Sequence, residues 1–136
     1  MASVDQHLKQ YQHNRGLIPQ LPATHHDWMV TVTFYCCVHL VDAVLASENK
    51  RAVDHKTRNI ALATSTRLDF IAKKYDPLYQ MVRRIRYFAN PLEWVPLDQL
   101  EKQVFAEHLY PIEKSAFKLL GQTHEFNRIQ LPKLNP

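Results

Sequence analysis

The chain has 136 residues, with only two glycines, eight prolines, two cysteines, eight histidines and a formal net charge of +4. A chain of this length is expected to form one domain with a buried core, and its 46% apolar and 22% charged residues are typical of a folded protein. So few glycines exclude a glycine-rich phosphate loop or a dinucleotide-binding turn and disfavour a protein built from tight hairpins. The composition therefore predicts long helices.

The positive charge is concentrated in the middle of the chain. Residues 50–86 contain ten Lys or Arg against three Asp, a balance of +7, whereas residues 1–49 and 87–136 carry −2 and −1. This asymmetry indicates either an anionic partner for the middle segment or a solvated, charged set of helix faces.

The N-terminal segment predicts a short helix. Residues 2–14 are mostly polar, with Leu8 and Tyr11 three positions apart as one contact stripe. Gly16 is a helix-ending residue, so the helix is predicted to close there, and two prolines then predict an extended connector.

The segment from Thr24 to Ser47 predicts the longest helix. Thr24 and Asp27 form a near capping box, and no glycine or proline follows up to Ser47. Residues 30–34 alternate like a strand, but a strand of more than twenty residues without a turn signal is unfavourable, so length favours a helix. Apolar residues surround most of this helix, which places it at the centre of the bundle or at a subunit interface. Its two stripes are Trp28, Val32, Tyr35, His39 and Asp42, and Phe34, Val38, Val41 and Leu45.

Two helices are predicted in the basic middle segment. Asp54 can cap a third helix that starts at His55 and reaches Tyr75, with a kink or restart at Ser65-Thr66. Asp76-Pro77 is a start signal, an N-cap followed by proline at the first helical position, and predicts a fourth helix up to about Phe88.

The C-terminal third predicts a loop, a last helix and a tail. Asn90-Pro91 and Pro96 frame the loop, and Asp98 caps a helix that continues to Leu120, with an interruption at Pro111 and closure by Gly121. Together these elements predict an all-α, up-and-down bundle of four or five helices. Its predicted parts are an N-terminal arm or short helix at 1–23, a bundle at 24–121 and an extended tail at 122–136.

The predicted location is cytoplasmic. Cys36 and Cys37 are adjacent in an apolar run, which is typical of reduced core residues rather than of a disulfide framework. The N-terminus has no secretory signal pattern, and the apolar run from Trp28 to Val41 is shorter than the roughly 20 residues that span a membrane.

The histidines do not form a recognisable metal motif. No two of them are four positions apart, which is the spacing that places two ligands on one helix face. A three-helix site from His39, His55 and His108 is geometrically feasible, so a metal-dependent bundle enzyme with scattered histidines stays as an alternative. The sequence otherwise predicts no metal and no cofactor.

His55 and Arg58 are the most informative pair for chemistry. They are three positions apart at a helix start and so share a face. With His39 and Arg86 from neighbouring helices they would combine proton-transferring imidazoles with forked guanidinium donors for phosphate. The alternative is structural, with His39 as a satisfied core histidine and both arginines in salt bridges.

Several short strings resemble a known superfamily. They are Asp27-Trp28, FYCCVHLVDA at 34–43, HKTRN at 55–59, YDPLY at 75–79 and Arg86-Tyr87. Over residues 24–90 the chain resembles the HEPN superfamily, especially a bacterial subset with a tryptophan-led FYxxxH helix followed by HxxRN.

The resemblance implies an up-and-down bundle that is commonly dimeric. Many members are metal-independent endoribonucleases in toxin–antitoxin or defence systems, and others are non-catalytic partners of nucleotidyltransferases. Catalytic members carry Arg-x4–6-His, which this chain lacks. The nearest substitutes are Lys102 with His108 and Lys118 with His124. In both, the compact ammonium group of lysine replaces the planar guanidinium group of arginine.

The sequence and this resemblance therefore predict a HEPN-like protein of toxin or defence type that is associated with nucleic acid or nucleotides. Its ribonuclease activity is expected to be either absent or that of a metal-independent endoribonuclease with a non-standard motif. The alternative, from a different class of function, is a non-catalytic module for dimerisation or protein interaction. The expected partners are a second copy of the chain, RNA or a nucleotide, and a nucleotidyltransferase or antitoxin, with no membrane. The catalytic candidates are His39, His55, Arg58 and Arg86. The candidate nucleic-acid-binding residues are Lys56, Arg58, Lys73, Lys74, Arg83, Arg84 and Arg86.

Overall fold

A computed structural model describes residues 2–87 and 94–132, and these residues form helices and loops without a strand. The predicted all-α helical bundle is confirmed. The five helices are α1 (Val4–Leu17), α2 (His26–Ser47), α3 (His55–Thr64), α4 (Asp69–Tyr87) and α5 (Tyr110–Leu119). A π-helical segment, Glu101–Leu109, runs directly into α5, and short 3-10 turns occupy Ile18–Gln20, Ala23–His25 and Leu97–Gln99.

Helix α2 is the central helix of the bundle. It packs against α1, α4, α5 and the π-helical segment, so most of its apolar residues are covered within a single chain. The stripe Phe34, Val38, Val41 and Leu45 is buried, as predicted, whereas Trp28 and Tyr35 of the other stripe are exposed. Cys36 and Cys37 are both buried and free, which agrees with their predicted core role.

One stretch of the described residues, Ala23–Ser47, is long and apolar enough to cross a membrane by length and composition. This stretch is longer than the apolar run from Trp28 to Val41 that the sequence analysis compared with a membrane span. However, 78% of its most apolar window is buried inside the protein, and the core helix of a folded protein passes the same test. The cytoplasmic location stays a prediction.

Helix α1 extends past its predicted end. It begins with a capping box in which the Ser3 hydroxyl accepts a hydrogen bond from the Gln6 backbone and the Gln6 side chain accepts one from Ser3. The helix runs through Gly16 to Leu17, so the predicted closure at Gly16 is wrong. A glycine in a helix lowers stability without ending it, and buried Leu8 and Tyr11 hold α1 against the core.

The predicted capping box at the start of α2 is also wrong. Residues Ala23–His25 form a 3-10 turn, and no side chain caps α2. The Thr24 hydroxyl lies 3.0 Å from Nδ1 of His25. The Asp27 carboxylate is paired with Arg86 at 2.9 Å, and a cationic partner is stronger than the backbone N–H that a capping box offers.

The joint between α3 and α4 includes Ser65-Thr66, where a kink or restart was predicted. Asp54 caps α3 as expected, since its Oδ1 accepts from the Thr57 backbone at 2.7 Å. The helix ends at Thr64, and α4 then runs without a break through Asp76-Pro77, so the predicted helix start there is wrong. The residues that α4 buries show why: Ile71, Tyr75, Leu78, Val82 and Ile85 follow one another at helical spacing across the proline. Their continuous burial outweighs the hydrogen bond that Pro77, which is exposed, cannot make.

The last helix shows no break at Pro111. Pro111 is the second residue of α5, and the helix continues through it from the π-helical segment. Gly121 closes α5 as predicted: its φ is +66°, and Gln122 N donates to Phe117 O at 3.0 Å. The predicted fourth-helix end near Phe88 and the Asn90-Pro91 joint lie outside the described residues.

The C-terminal tail is extended but packed. Residues 122–132 contain no helix or strand. Ile129 is buried, and its backbone N–H donates to the Tyr110 hydroxyl at 3.0 Å. Arg15 of α1 donates to the carbonyl of Asn127 at 2.5 Å, so the tail is attached to both α1 and α5.

Candidate functional site

Arg58 lies at the centre of the predicted site but does not face solvent. It is buried on α3, where its Nε and Nη2 donate to the two carboxylate oxygens of Asp42 on α2, at 2.8 and 2.9 Å. The structure thus gives Arg58 the inter-helix salt bridge that the sequence left as the alternative to a phosphate contact. This bidentate pair fixes α3 against α2.

His55 is held on the other side of Arg58. Its Nδ1 lies 3.3 Å from Nη1 of Arg58, and since an arginine can only donate, Nδ1 accepts and the proton of the neutral ring is on Nε2. Burial lowers the pKa of His55, and the positive charge of Arg58 lowers it further. The ring packs against Phe34 and Tyr79, with centroid distances of 5.8 and 5.7 Å.

His39 belongs to a different cluster. Its Nδ1 lies 3.2 Å from Nδ1 of His7 on α1, and Asp42 completes a group whose potential ligand atoms all lie within 4.8 Å of one another. Burial is the largest cause of a lowered pKa for both histidines. The predicted three-helix set is not brought together, because His108 instead donates from Nδ1 to the carbonyl of Lys74 at 2.8 Å.

Arg86 connects α4 to the start of α2. Its Nη2 donates to Asp27 at 2.9 Å, and its guanidinium carbon lies 3.9 Å from the centre of the Trp28 ring. The Nε–H of Arg86 is buried and has no hydrogen-bond partner among the described residues. Trp28 remains 46% exposed, so this cation–π pair lies at the surface.

His55 and Arg86 meet in one small cavity between α2, α3 and α4. The cavity has a volume of about 190 Å³, and Arg83 lies in its wall with its guanidinium 5.7 Å from the centre of the Tyr79 ring. We call this feature the aromatic–basic groove. The side chains with polar groups that define it are Thr31, Tyr35, His55, Tyr79, Arg83, Arg86 and Tyr87.

The remaining basic residues of the middle segment do not extend this groove as one surface. Lys73 pairs with Asp69 at 3.1 Å, and Lys74 lies 3.5 Å from Glu107 of the π-helical segment. Arg83 lies nine positions after Lys74, which is about two and a half helical turns, so these two side chains leave α4 on opposite sides. Lys56 and Arg84 are exposed on α3 and α4.

Sequence reasoning missed a second buried polar network. Glu113 of α5 is fully buried and accepts hydrogen bonds from the Tyr11 hydroxyl and from Nε of Arg15. Burial and the neighbouring carboxylate raise the pKa of Tyr11. A cavity of about 480 Å³ adjoins this network, with His124 of the tail in its wall. One signal was present: Glu113 interrupts the apolar face made by Ile112, Ala116 and Phe117.

No family model matches this chain, and comparisons with curated proteins and with solved structures give no match either. The class of the protein that the structure defines is an all-α helical bundle. Any function must therefore be argued from its own side chains.

Proposed function

We propose that this helical bundle binds single-stranded RNA through the aromatic–basic groove. The observation that carries the proposal is the convergence of His55, Arg83 and Arg86 with three tyrosines around one cavity. Proteins that bind single-stranded nucleic acids combine positive charge for the phosphates with aromatic rings on which bases stack. The resemblance to the HEPN superfamily points to RNA as the first ligand to test.

The groove contains cationic and hydrogen-bond-donating side chains that suit an anion. Arg86 is oriented by Asp27 and Trp28, yet its buried Nε–H is unpaired among the described residues. The positive charge of Arg86 in the groove wall favours an anionic ligand there. Neutral His55 adds a second donor, since its Nδ1 is occupied by Arg58.

The exposed rings suit stacking. Tyr35 is 43% exposed and Tyr87 is 76% exposed beside the groove. The cavity of about 190 Å³ is smaller than the roughly 300–1,000 Å³ of small-molecule sites. That size favours one segment of a longer strand over a whole cofactor.

In this proposal Arg58 is a positioning residue. Its bidentate bond to Asp42 holds it in place, and its third contact sets the tautomer of His55. Arg83 and Arg86 then take the phosphate-binding role that the sequence assigned to Arg58 and Arg86. His39 lies with His7 and contributes nothing to the groove.

The binding test uses fluorescence anisotropy with a labelled single-stranded RNA. We expect Tyr35→Ala to weaken binding by about 1–3 kcal/mol, roughly 5- to 150-fold in Kd, because one base loses its stacking partner. Arg83→Ala should reduce the dependence of log K on log salt between about 50 and 200 mM by about one phosphate contact. Both side chains are exposed, so both variants should fold.

Two control variants match these changes outside the groove. Phe126→Ala removes an aromatic ring that is 48% exposed on the tail, and Lys102→Ala removes an exposed charge from the π-helical segment. The proposal is wrong if wild-type protein does not bind RNA at low salt, or if the groove and control variants bind equally well.

A second candidate function is cleavage of the bound RNA. His55 is the only predicted acid–base histidine found in the groove wall, and it stands beside two arginines. If the chain cleaves RNA in the presence of a chelator, His55→Ala should reduce the rate by about 100-fold or more, because general acid–base catalysis is lost. Binding without cleavage would identify a non-catalytic RNA-binding module. The predicted homodimer, toxin or defence role and nucleotidyltransferase partner stay predictions.

A further inference from the structure

A second candidate site lies between α1 and α2, away from the groove. It consists of His7 of α1 with His39 and Asp42 of α2, and one potential ligand atom from each lies within 4.8 Å of the others. His39 and Asp42 are three positions apart on one helix face, while His7 comes from 32 residues earlier in the chain.

The distance between the two imidazoles matches that of two metal ligands. The Nδ1 atoms of His7 and His39 are 3.2 Å apart. A tetrahedral zinc ion with Zn–N bonds of about 2.0–2.1 Å holds two nitrogens about 3.3–3.4 Å apart. The separation of these two nitrogens therefore fits an ion between them, and the carboxylate of Asp42 has to approach them.

The chemical state of the three groups suits a cation. Burial lowers the pKa of both histidines, so their rings are neutral near pH 7 and a nitrogen lone pair is available. Arg58 donates to both oxygens of Asp42 and so orients the carboxylate, as outer hydrogen-bond donors orient metal-binding carboxylates. Two imidazoles and one carboxylate are a ligand set that zinc accepts.

The cluster also has room for a fourth ligand. A cavity of about 190 Å³ adjoins it, with His7 and Asp42 in its wall next to Lys50 and Arg51. Three protein ligands and one open position are typical of catalytic rather than structural zinc sites. The two basic side chains would favour an anion or hydroxide at that open position.

We propose that His7, His39 and Asp42 form a zinc-binding site with one coordination position open to solvent. The site does not depend on the proposed RNA binding, because none of its ligands lines the aromatic–basic groove. The alternative explanation for the short distance between the two imidazoles is a hydrogen bond between them. Titration with metal distinguishes this hydrogen bond from a zinc site.

The experiment uses the untagged full chain, stripped of metal with a chelator and titrated with Zn²⁺ by calorimetry. We expect one zinc ion per chain. His7→Ala and His39→Ala should each weaken binding by at least about tenfold, because a direct ligand is lost. In NMR spectra, zinc should shift the imidazole signals of His7 and His39. Asp42→Asn is avoided, since it would also break the pair with Arg58.

The matched control is His13→Ala, which removes an exposed histidine from the same helix as His7. It should bind zinc like the wild type, and so should the groove variant Tyr35→Ala. Thermal unfolding without zinc checks that each variant is folded. The proposal is overturned if the folded wild type binds no zinc, or if His7→Ala and His13→Ala bind it with equal affinity.

Discussion

At the scale of single residues, Arg58 lies between the two candidate sites and contacts a residue of each. Its guanidinium contacts Asp42, which belongs to the proposed zinc site, and His55, which belongs to the groove. Both partners of the ion pair are largely removed from water, with side-chain exposures of 8% and 10%. A buried ion pair adds little net stability to the folded state. Removing one partner is strongly destabilising, because the other charge then stays buried without a partner.

We therefore predict that Arg58→Ala lowers the free energy of unfolding by about 3–5 kcal/mol, because Asp42 is left as an unpaired buried carboxylate. Urea denaturation measures this change. Lys56→Ala is the control, since Lys56 is exposed on the same helix and its loss should cost within about 0.5 kcal/mol. Equal stabilities of the two variants would contradict the ion pair.

At the scale of helices, the two glycines of the chain have opposite roles. Gly16 lies inside α1, where a Cβ would meet nothing within 4 Å. Gly121 follows α5 with a φ of +66°, a conformation that side-chain-bearing residues adopt only with strain. The same substitution should therefore change stability in opposite directions at the two sites.

Gly16→Ala should raise the free energy of unfolding by about 0.5–1 kcal/mol, because alanine has the higher helix propensity. Gly121→Ala should lower it by about 1 kcal/mol, because alanine is strained in the left-handed conformation. Thermal and urea unfolding measure both changes, and each variant serves as the control for the other. A gain in stability in Gly121→Ala would mean that α5 does not end as described.

Pro77 tests whether α4 is one helix or two. In a continuous helix the proline removes a hydrogen bond, so Pro77→Ala should increase the free energy of unfolding by about 1–3 kcal/mol. If Asp76-Pro77 were a helix start, alanine would bring no such gain. Pro22→Ala is the control: Pro22 lies outside the α-helices with a φ of −58°, and its replacement should be slightly destabilising.

At the scale of the whole molecule, stability depends on polar groups that are buried only when the helices have packed. Glu113 joins α1 to α5 through Tyr11 and Arg15, and Arg15 also holds the tail at Asn127. His108 joins the π-helical segment to the backbone of α4 at Lys74. These contacts connect residues far apart in sequence, so they exist only in the assembled bundle.

Four histidines, of which His108 is buried and the others are half-buried, make the stability of the bundle dependent on pH. Burial is the largest cause of a lowered pKa for His7, His39, His55 and His108. The unfolded chain, with histidine pKa values near 6.5, therefore binds more protons than the folded chain as the pH falls below about 6.5. This contribution to stability is fully present above that pH and is lost progressively below it.

We expect the free energy of unfolding, measured with urea at a series of pH values, to decrease as the pH falls below about 6.5. His108→Asn should reduce the pH dependence, since the amide keeps a donor near the position of Nδ1 but does not titrate. His13→Asn, at an exposed site, should leave it unchanged. An identical pH dependence in both variants would show that buried His108 does not contribute.

The parts of the structure that the sequence predicted correctly are local. The long α2, the cap by Asp54, the closure at Gly121 and the burial of the cysteine pair all depend on residues a few positions apart. The errors at Gly16, Thr24 and Asp76-Pro77 have a common cause. Each of these local signals was outweighed by a contact with another helix or by burial of a continuous stripe.

For this protein, the sequence by itself determined the class of fold, since scarce glycine and long stretches of apolar residues at helical spacing favour long helices over hairpins. Only the tertiary structure decided the sites. In the packed bundle Arg58 forms an ion pair with Asp42, and His7 lies next to His39, which is 32 positions away in sequence. Tyr11 likewise donates a hydrogen bond to Glu113, which is 102 positions away. Helical spacing specifies which face a side chain occupies, whereas the partner of that face depends on how the helices pack.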